Sequence, residues 1–201
     1  MTDVTERLRP GRQRSEAADT AILAATLDVL SDVGYAGLTV ASVIAKAKVS
    51  SATLYRRWPT KQELVAAALA SLHAEIVDID TGTFQKDMEA MAAATAEAMT
   101  VRRQDLAEDV AVELRRNPEF RAAVNEIFVV PRRAVMTGII ERAVARKELS
   151  QKIDSYLAMS FLSGPMHQRV YLQGQALTPT FIKQVTVGAM AAMAAIADLQ
   201  R

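Results

Sequence analysis

A chain of 201 residues that is 50% apolar and 5% aromatic, with a net charge of +1, can bury a core, which excludes an intrinsically disordered protein. Its length suits one large domain or a small domain joined to a medium one. Cysteine is absent, which excludes disulfides, thiolate nucleophiles and cysteine metal sites and fits a reducing cytoplasm, and no apolar run approaches the ~18 residues of a membrane span.

The first residues, MTDVTERLRPGRQR, are polar and basic with no apolar stretch behind them, so a secretory signal is not expected. Pro10-Gly11 should break helix there, and residues 1–14 read as a flexible basic arm. A helix is predicted from Ser15 to Val33, because Ile22, Ala25, Thr26, Val29 and Val33 share one face at three- and four-residue spacing. Gly34 is its expected left-handed stop.

Thr39 precedes the next apolar-periodic stretch as an N-cap, and a short helix follows from Val40 to Ala47 with Val40, Val43 and Ile44 inward. Lys48-Val49 form a turn, Ser50 caps again, and a third helix runs from Ser51 to Arg57 until Pro59 stops it. Leu54 and Trp58 fall on its buried side, while Ala52, Thr53, Tyr55 and Arg56 project outward. Thr60 to Glu63 has the spacing of a capping box, opening a helix to about Val77 with Leu64, Ala67, Ala68 and Leu72 inward.

Charge is unevenly spread. Residues 1–61 hold nine Lys/Arg against six Asp/Glu, a net of +3, whereas 62–201 hold 15 against 17, a net of −2. Lys46, Lys48, Arg56, Arg57 and Lys61 form a run without an acid. Two short capped helices around a tight turn, with a basic outer face, are what a helix-turn-helix needs to enter the major groove of DNA. Arg56 can grip a guanine edge or a phosphate. Ser51, Thr53 and Tyr55 carry hydroxyls for bases or phosphates, Ala52 allows close approach, and Lys61 is placed for a phosphate. The basic arm is then either a plain tail or a segment following the DNA backbone or minor groove.

These residues carry a resemblance. The run from Ile22 to Val65 resembles the DNA-binding domain of the TetR (tetracycline-repressor-like) family. The shared marks are Gly34-Tyr35, Thr39-Val40, Val49-Ser50, Thr53-Leu54-Tyr55, and Trp58-Pro59-Thr60-Lys61. Two positions depart from the family: Lys48 stands where glycine is usual, and Val43-Ile44 where Ile-Ala is usual. The resemblance implies DNA contacts from Thr39, Ser50, Ser51, Ala52, Thr53, Tyr55, Arg56 and Lys61; Lys48, the departure, either strains the turn or adds a phosphate contact. It also implies a palindromic operator, a homodimer, and release by an effector.

The rest of the chain shows helical periodicity and no strands, so the fold class is all-α with about nine helices. Helices are expected over 84–102, 105–116, 118–147 with a kink near Pro131, and 154–172 with a bend at Gly164-Pro165. A last one opens at Thr178-Pro179. Three parts follow: the arm 1–14, a DNA-binding domain 15–65, and an effector-binding and dimerisation domain 66–201. By the resemblance the last two helices pair two copies, here through Ile182, Val185, Gly188, Ala189, Ala192 and Ile196, or else they are plain intramolecular core. Methionines 88, 91, 99, 136, 159 and 166 suit a core. If instead the body binds a small apolar or mixed effector, Met91, Thr95, Phe128, Met159, Ser163 and His167 are the expected lining. His73 reads as structural.

No catalytic set, cofactor loop or metal-ligand spacing is found. Glu108, Asp109 and Glu113 read as a solvated face. The reading is a DNA-binding regulator, most simply a repressor. The alternative is a helical small-molecule-binding or scaffolding protein whose helix-turn-helix contacts another protein, a use that would not need the acid-free basic run.

Overall fold

The computed structural model describes residues 10–72, 78–100 and 104–199. Every regular element among them is helical: α1 (Pro10–Gly37), α2 (Val40–Ala47), α3 (Ser51–Tyr55), α4 (Lys61–Ala70), α5 (Phe84–Thr100), α6 (Gln104–Arg116), α7 (Pro118–Val124), α8 (Val130–Ala145), α9 (Ser155–His167) and α10 (Pro179–Leu199). The all-α prediction holds. There are ten segments rather than about nine because the expected 118–147 helix is divided by a π turn, Asn125–Val129. Pro131 has no N–H to give to the preceding turn, which accounts for the wider spacing just before it.

Two compact units emerge. One contains the described residues up to Ser71 together with Asp105–Val124; the other contains those of Leu72–Gln104 and Asn125–Arg201. The expected cut at 65/66 falls inside α4, and α6 and α7 fold largely with the N-terminal helices rather than with the body.

In the first unit α1 packs on α2 and α4, and α4 also packs on α7. Ile22, Leu30, Leu38, Leu54, Leu64 and Phe120 are its largest fully buried side chains among the described residues, and Val43 is fully buried with them. The chain is already helical at Pro10, the first described residue, so Pro10-Gly11 do not break the helix as expected and the expected start at Ser15 is too late. Residues 1–9 of the expected arm lie outside the described residues. Gly34 interrupts α1 at φ 69°, the left-handed stop expected there. Val33, expected inward, is 54% exposed, while Leu27 and Leu30 take the buried side. Helix α4 buries Leu64, Val65, Ala66 and Ala68, a wider face than one stripe because it is packed from two sides. The predicted continuation of α4 through His73 to Val77 lies outside the described residues.

In the second unit α5, α8, α9 and α10 enclose one core centred on Met88, Met91, Met136, Ile139, Ile140, Leu162, Met166 and Met193. Of the methionines expected in the core, Met88, Met91, Met99, Met136 and Met166 are buried there, while Met159 is half-buried and packs against it. Asp154 caps α9 by accepting from Leu157 N at 2.9 Å, and Thr178 does the same for α10 through Phe181 N at 3.2 Å. Pro165 sits inside α9, which passes into a second π turn, Gln168–Leu172. Among the described residues α10 is the one helix long and apolar enough, by length and composition, to cross a membrane. The sequence reading overlooked it because Lys183 and polar residues interrupt the run. Its Val185, Ala189, Met193 and Ala197 are buried in this unit's core.

An ion network ties the start of α5 to the end of α8. Asp87 is a buried carboxylate that accepts from Thr81 N (2.6 Å) and Thr81 Oγ1 (2.7 Å). Arg146 Nη2 donates to its other oxygen at 2.8 Å. Burial alone would push this carboxyl up, but the Thr81 and Arg146 bonds outweigh it and hold the group below its ordinary range. Glu148 accepts from Arg146 Nε (2.7 Å) and from the first free backbone N–H of α5, at Phe84 (3.0 Å).

Candidate nucleic-acid interface

Each helix of the helix-turn-helix is fixed at its start by a side chain. Thr39 Oγ1 accepts from Ser42 N at 3.1 Å, and Ser42 Oγ accepts from Thr39 N at 3.3 Å, a complete capping box. Ser50 Oγ accepts from Thr53 N at 3.2 Å and shares a 2.9 Å bond with the Thr53 hydroxyl. Thr60 Oγ1 accepts from Glu63 N at 3.1 Å, so the Thr60 half of the expected box forms. Each such cap contributes about 1 kcal/mol. Between α2 and α3, Lys48 adopts the left-handed conformation, φ 55° and ψ 43°. That geometry explains why glycine suits this position, and it places strain on lysine.

Helix α3 ends at Tyr55, two residues short of the expected Arg57. Arg56 N still bonds Ala52 O at 3.3 Å, and Trp58 N bonds Leu54 O at 3.0 Å. Leu54 is fully buried and Trp58 half-buried. Ser51, Ala52, Tyr55 and Arg56 are exposed, and Thr53 is half-buried with its hydroxyl already bonded. The outward set thus has the expected composition, with Thr53 less available than its spacing suggested.

The five basic residues separate into two groups. Lys46 pairs with Asp32 (3.1 Å) and Asp28 (3.9 Å) on α1. Arg57 pairs with Asp19. Lys61 Nζ donates to Tyr35 O at 2.6 Å and lies 4.4 Å from the centre of the Tyr35 ring. Burial lowers the Lys61 pKa, with Glu113 opposing. Lys48 and Arg56 are exposed and form no ion pair among the described residues. The acid-free run counted along the sequence is therefore partly neutralised by α1, a pairing that needs the fold to be seen.

Lys61 belongs to a cluster that sequence reading missed. The Tyr35 ring packs on Phe120 of α7, with centroids 4.7 Å apart. Burial first, then Glu113 and Glu119, raise the Tyr35 pKa to about 12, so its phenol stays protonated. Asn117 Nδ2 donates to Glu113 Oε1 at 2.9 Å, and Asn117 Oδ1 caps α7 through Phe120 N at 3.0 Å. Gln62 Nε2 on α4 donates to Glu119 Oε2 at 3.1 Å. Glu113 is thus an engaged residue rather than part of a solvated face; the side chains of Glu108 and Asp109 lie outside the described residues. Only the Asn117-Pro118 cap signal was legible in advance.

None of the expected effector residues lines the groove between α5 and α10. Met91 and Thr95 are buried, and the Thr95 hydroxyl donates to Met91 O at 2.8 Å. Ser163 Oγ donates to Met159 O at 2.9 Å, and His167, on the exposed side of α9, contacts Ser163 O at 2.9 Å and the Tyr171 ring. Phe128 lies in the first π turn. That groove, of about 850 Å³, is walled by Glu89, Ala93, Glu97, Ile182, Lys183 and Met190 among others. Of the expected pairing stripe, Val185 and Ala189 are buried in the unit's own core. Ile182, Ala192 and Ile196 are half-buried, and Gly188 lies on the exposed side. The 3.6-residue period places Val185 and Ala189 together but cannot say which partner they face.

Comparisons with known proteins agree with this architecture. Residues 22–68 match the family described as bacterial regulatory proteins, tetR family, and residues 78–187 match the tetracyclin repressor-like C-terminal domain. The uncharacterized HTH-type transcriptional regulator YdeS of Bacillus subtilis is 25% identical over 180 residues, 89% of this chain and 91% of that protein. The DNA-binding transcriptional repressor TetR of Mycobacteroides abscessus is 29% identical over 163 residues, 80% of this chain and 86% of that protein. Among solved structures, the flavonoid-responsive regulator FrrA superposes with a TM-score of 0.66 at 19% identity, covering 89% of this chain and 95% of that one; this likeness concerns the fold. With one domain match covering more than half the chain and a second on the helix-turn-helix, the chain belongs to the TetR family of DNA-binding helix-turn-helix transcriptional regulators.

Proposed function

We propose that the protein is a repressor that binds a palindromic operator as a homodimer in the cytoplasm and is released by a small molecule. The exposed face of α3, with Arg56 exposed and free of ion pairs among the described residues, carries this reading. Ser51, Ala52, Tyr55 and Arg56 meet base edges or phosphates. Thr39, Lys48, Ser50, Thr53 and Lys61 flank them, with Lys48 the flanking cation best placed because Lys61 is largely committed to Tyr35. One five-residue helix reads few base pairs. Two copies with reading helices ~34–36 Å apart would reach successive major grooves.

Exposed positions on α9 and α10 support pairing, among them Leu157, Gly164, Gly188, Ala191 and Ala195, with Tyr171 and Leu172 exposed in the π turn that follows α9. Small side chains permit close helix approach. The named repressor and the flavonoid-responsive regulator among its likenesses support the repressing and ligand-released parts. A groove of about 850 Å³ offers room for an effector, within the ~300–1,000 Å³ usual for such sites. The effector acts only through unequal affinity for the DNA-competent and DNA-incompetent states.

A gel-shift with DNA upstream of the protein's own gene, at rising salt, tests the reading. Saturable binding that weakens steeply with salt is expected. Absence of binding to every neighbouring promoter region, or binding indifferent to salt, would overturn it.

A further inference from the structure

Around the first π turn the chain gathers a set of polar groups that DNA binding does not use. Arg132 is half-buried, its Cζ 3.6 Å from the centre of the Phe128 ring, and its Nη1 donates to Phe128 O at 3.1 Å. Arg133, also half-buried, lies 4.3 Å over the Tyr156 ring, and its Nε donates to Ser155 Oγ at 3.0 Å. Tyr156 Oη donates to Asn125 Oδ1, on the π turn, at 3.1 Å. Neither guanidinium has a carboxylate within 4.0 Å among the described residues, although Glu126 and Asp154 are near in sequence.

A half-buried cation without a counter-charge is costly, and long charged side chains normally find one. Desolvation lowers the Arg132 pKa with nothing to offset it. Stacking on a ring fixes the plane of each guanidinium, so its in-plane donors are aimed in advance. Among the described residues Arg132 keeps its Nε–Nη2 edge free and Arg133 its Nη1–Nη2 edge. Each edge is a two-donor fork that matches the paired oxygens of a carboxylate or phosphate. The Tyr156 ring under Arg133 is 42% exposed, and Val130, two residues before Arg132, is 39% exposed. π turns within helices often mark functional positions.

We propose that the start of α8, through the free guanidinium edges of Arg132 and Arg133, binds a small molecule that carries a carboxylate or phosphate on an apolar tail. The site is separate from the α5–α10 groove and from α3, and it stands whether or not operator DNA is released by a ligand.

The test uses the full chain, with sodium decanoate, decyl phosphate and inorganic phosphate as probes and decanol as the uncharged control, at matched ionic strength. Thermal unfolding and calorimetric titration should show saturable stabilisation by at least one of the two tailed anions and none by decanol. The better of those two identifies the preferred oxyanion, and inorganic phosphate alone should bind more weakly because it lacks the tail. R132Q and R133Q should each weaken binding about 10- to 100-fold, the scale of a lost charge-assisted bond. R132K, which keeps the charge but loses the fork, should fall between them and the wild type, and it serves if R132Q fails to fold. An equal response to decanol, unchanged affinity in R133Q and R132K, or no saturable response to either tailed anion would each overturn the site. A change in sedimentation of R132Q without any anion response would do the same, by giving the guanidinium to a protein partner.

Discussion

The two units solve the problem of ending a helix differently. In the first, beside the long α1, the helices α2, α3, α4 and α7 are short, and each is started by a side chain three residues before the N–H it accepts from: Thr39, Ser50, Thr60 and Asn117. In the second, Asp154 and Thr178 cap α9 and α10 in the same way, but the helices are longer and adjoin the π turns Asn125–Val129 and Gln168–Leu172, near Pro131 and Pro165. The starts of the first unit's short helices are encoded locally. The second depends on a methionine-filled core and on ion pairs between residues some 60 positions apart, Arg146 with Asp87 among them. A surface that must match DNA to within a hydrogen bond gains from local rules; a body with room for other molecules does not need them.

Six substitutions probe that contrast. Phe120→Ala should have the largest effect, destabilising the first unit by about 3–5 kcal/mol in a denaturant titration, because it empties a fully buried ring site beside Tyr35. A loss under 1 kcal/mol would mean that the local caps suffice on their own. Asp87→Ala should cost about 1.5–3 kcal/mol at neutral pH, the scale of hydrogen bonds to a charged group. The folded-state pKa of Asp87 is depressed, so its contribution is complete above the ordinary carboxyl value near 4 and disappears as pH falls through the folded value. Wild type and variant should therefore converge in acid; a gap that persists there would assign the loss to packing.

Arg56→Ala should leave the unfolding midpoint unchanged but remove about 1–3 kcal/mol of discrimination between preferred and unrelated DNA in competition gel-shifts. Lys61→Ala should weaken all DNA alike and also lower stability, since it releases the Tyr35 carbonyl. If the two variants gave the same specificity profile, Arg56 would not be a base reader. The smallest effect is expected at the left-handed lysines, Lys48 (φ 55°) and Lys147 (φ 62°). Glycine at either should stabilise by about 1 kcal/mol. Lys48→Gly alone should weaken DNA binding, and a matching loss in Lys147→Gly would show that the charge at 48 is not the cause.

What was legible followed the same division. The caps at Thr39, Ser50 and Thr60, the stop at Gly34 and the burial of Leu54 lie within a few residues of their partners, and the sequence pattern found them. The helical state of residues 10–14 was misread because Pro10-Gly11 reads as a break from composition, while the turns that follow decide the outcome. The acids that neutralise Lys46 and Arg57 sit on α1, and Phe120 sits 85 positions from Tyr35. Neither pairing leaves a periodic trace. Which side of α10 faces inward was hidden for a related reason: nearly every position on it is apolar or small, so composition does not mark an outside.

The contribution of α6 and α7 to the first unit bears on how such proteins can be recombined. A hybrid regulator made by joining one member's residues 1–71 to another member's remaining chain would separate Tyr35, Lys61 and Gln62 from their own Phe120, Glu113 and Glu119. The transplanted head would then rest on a foreign seat, and its failure could be mistaken for a wrong choice of operator. Carrying 105–124 across with the head, as a second inserted cassette, preserves the native seat. The interchangeable part of this protein is discontinuous along the chain.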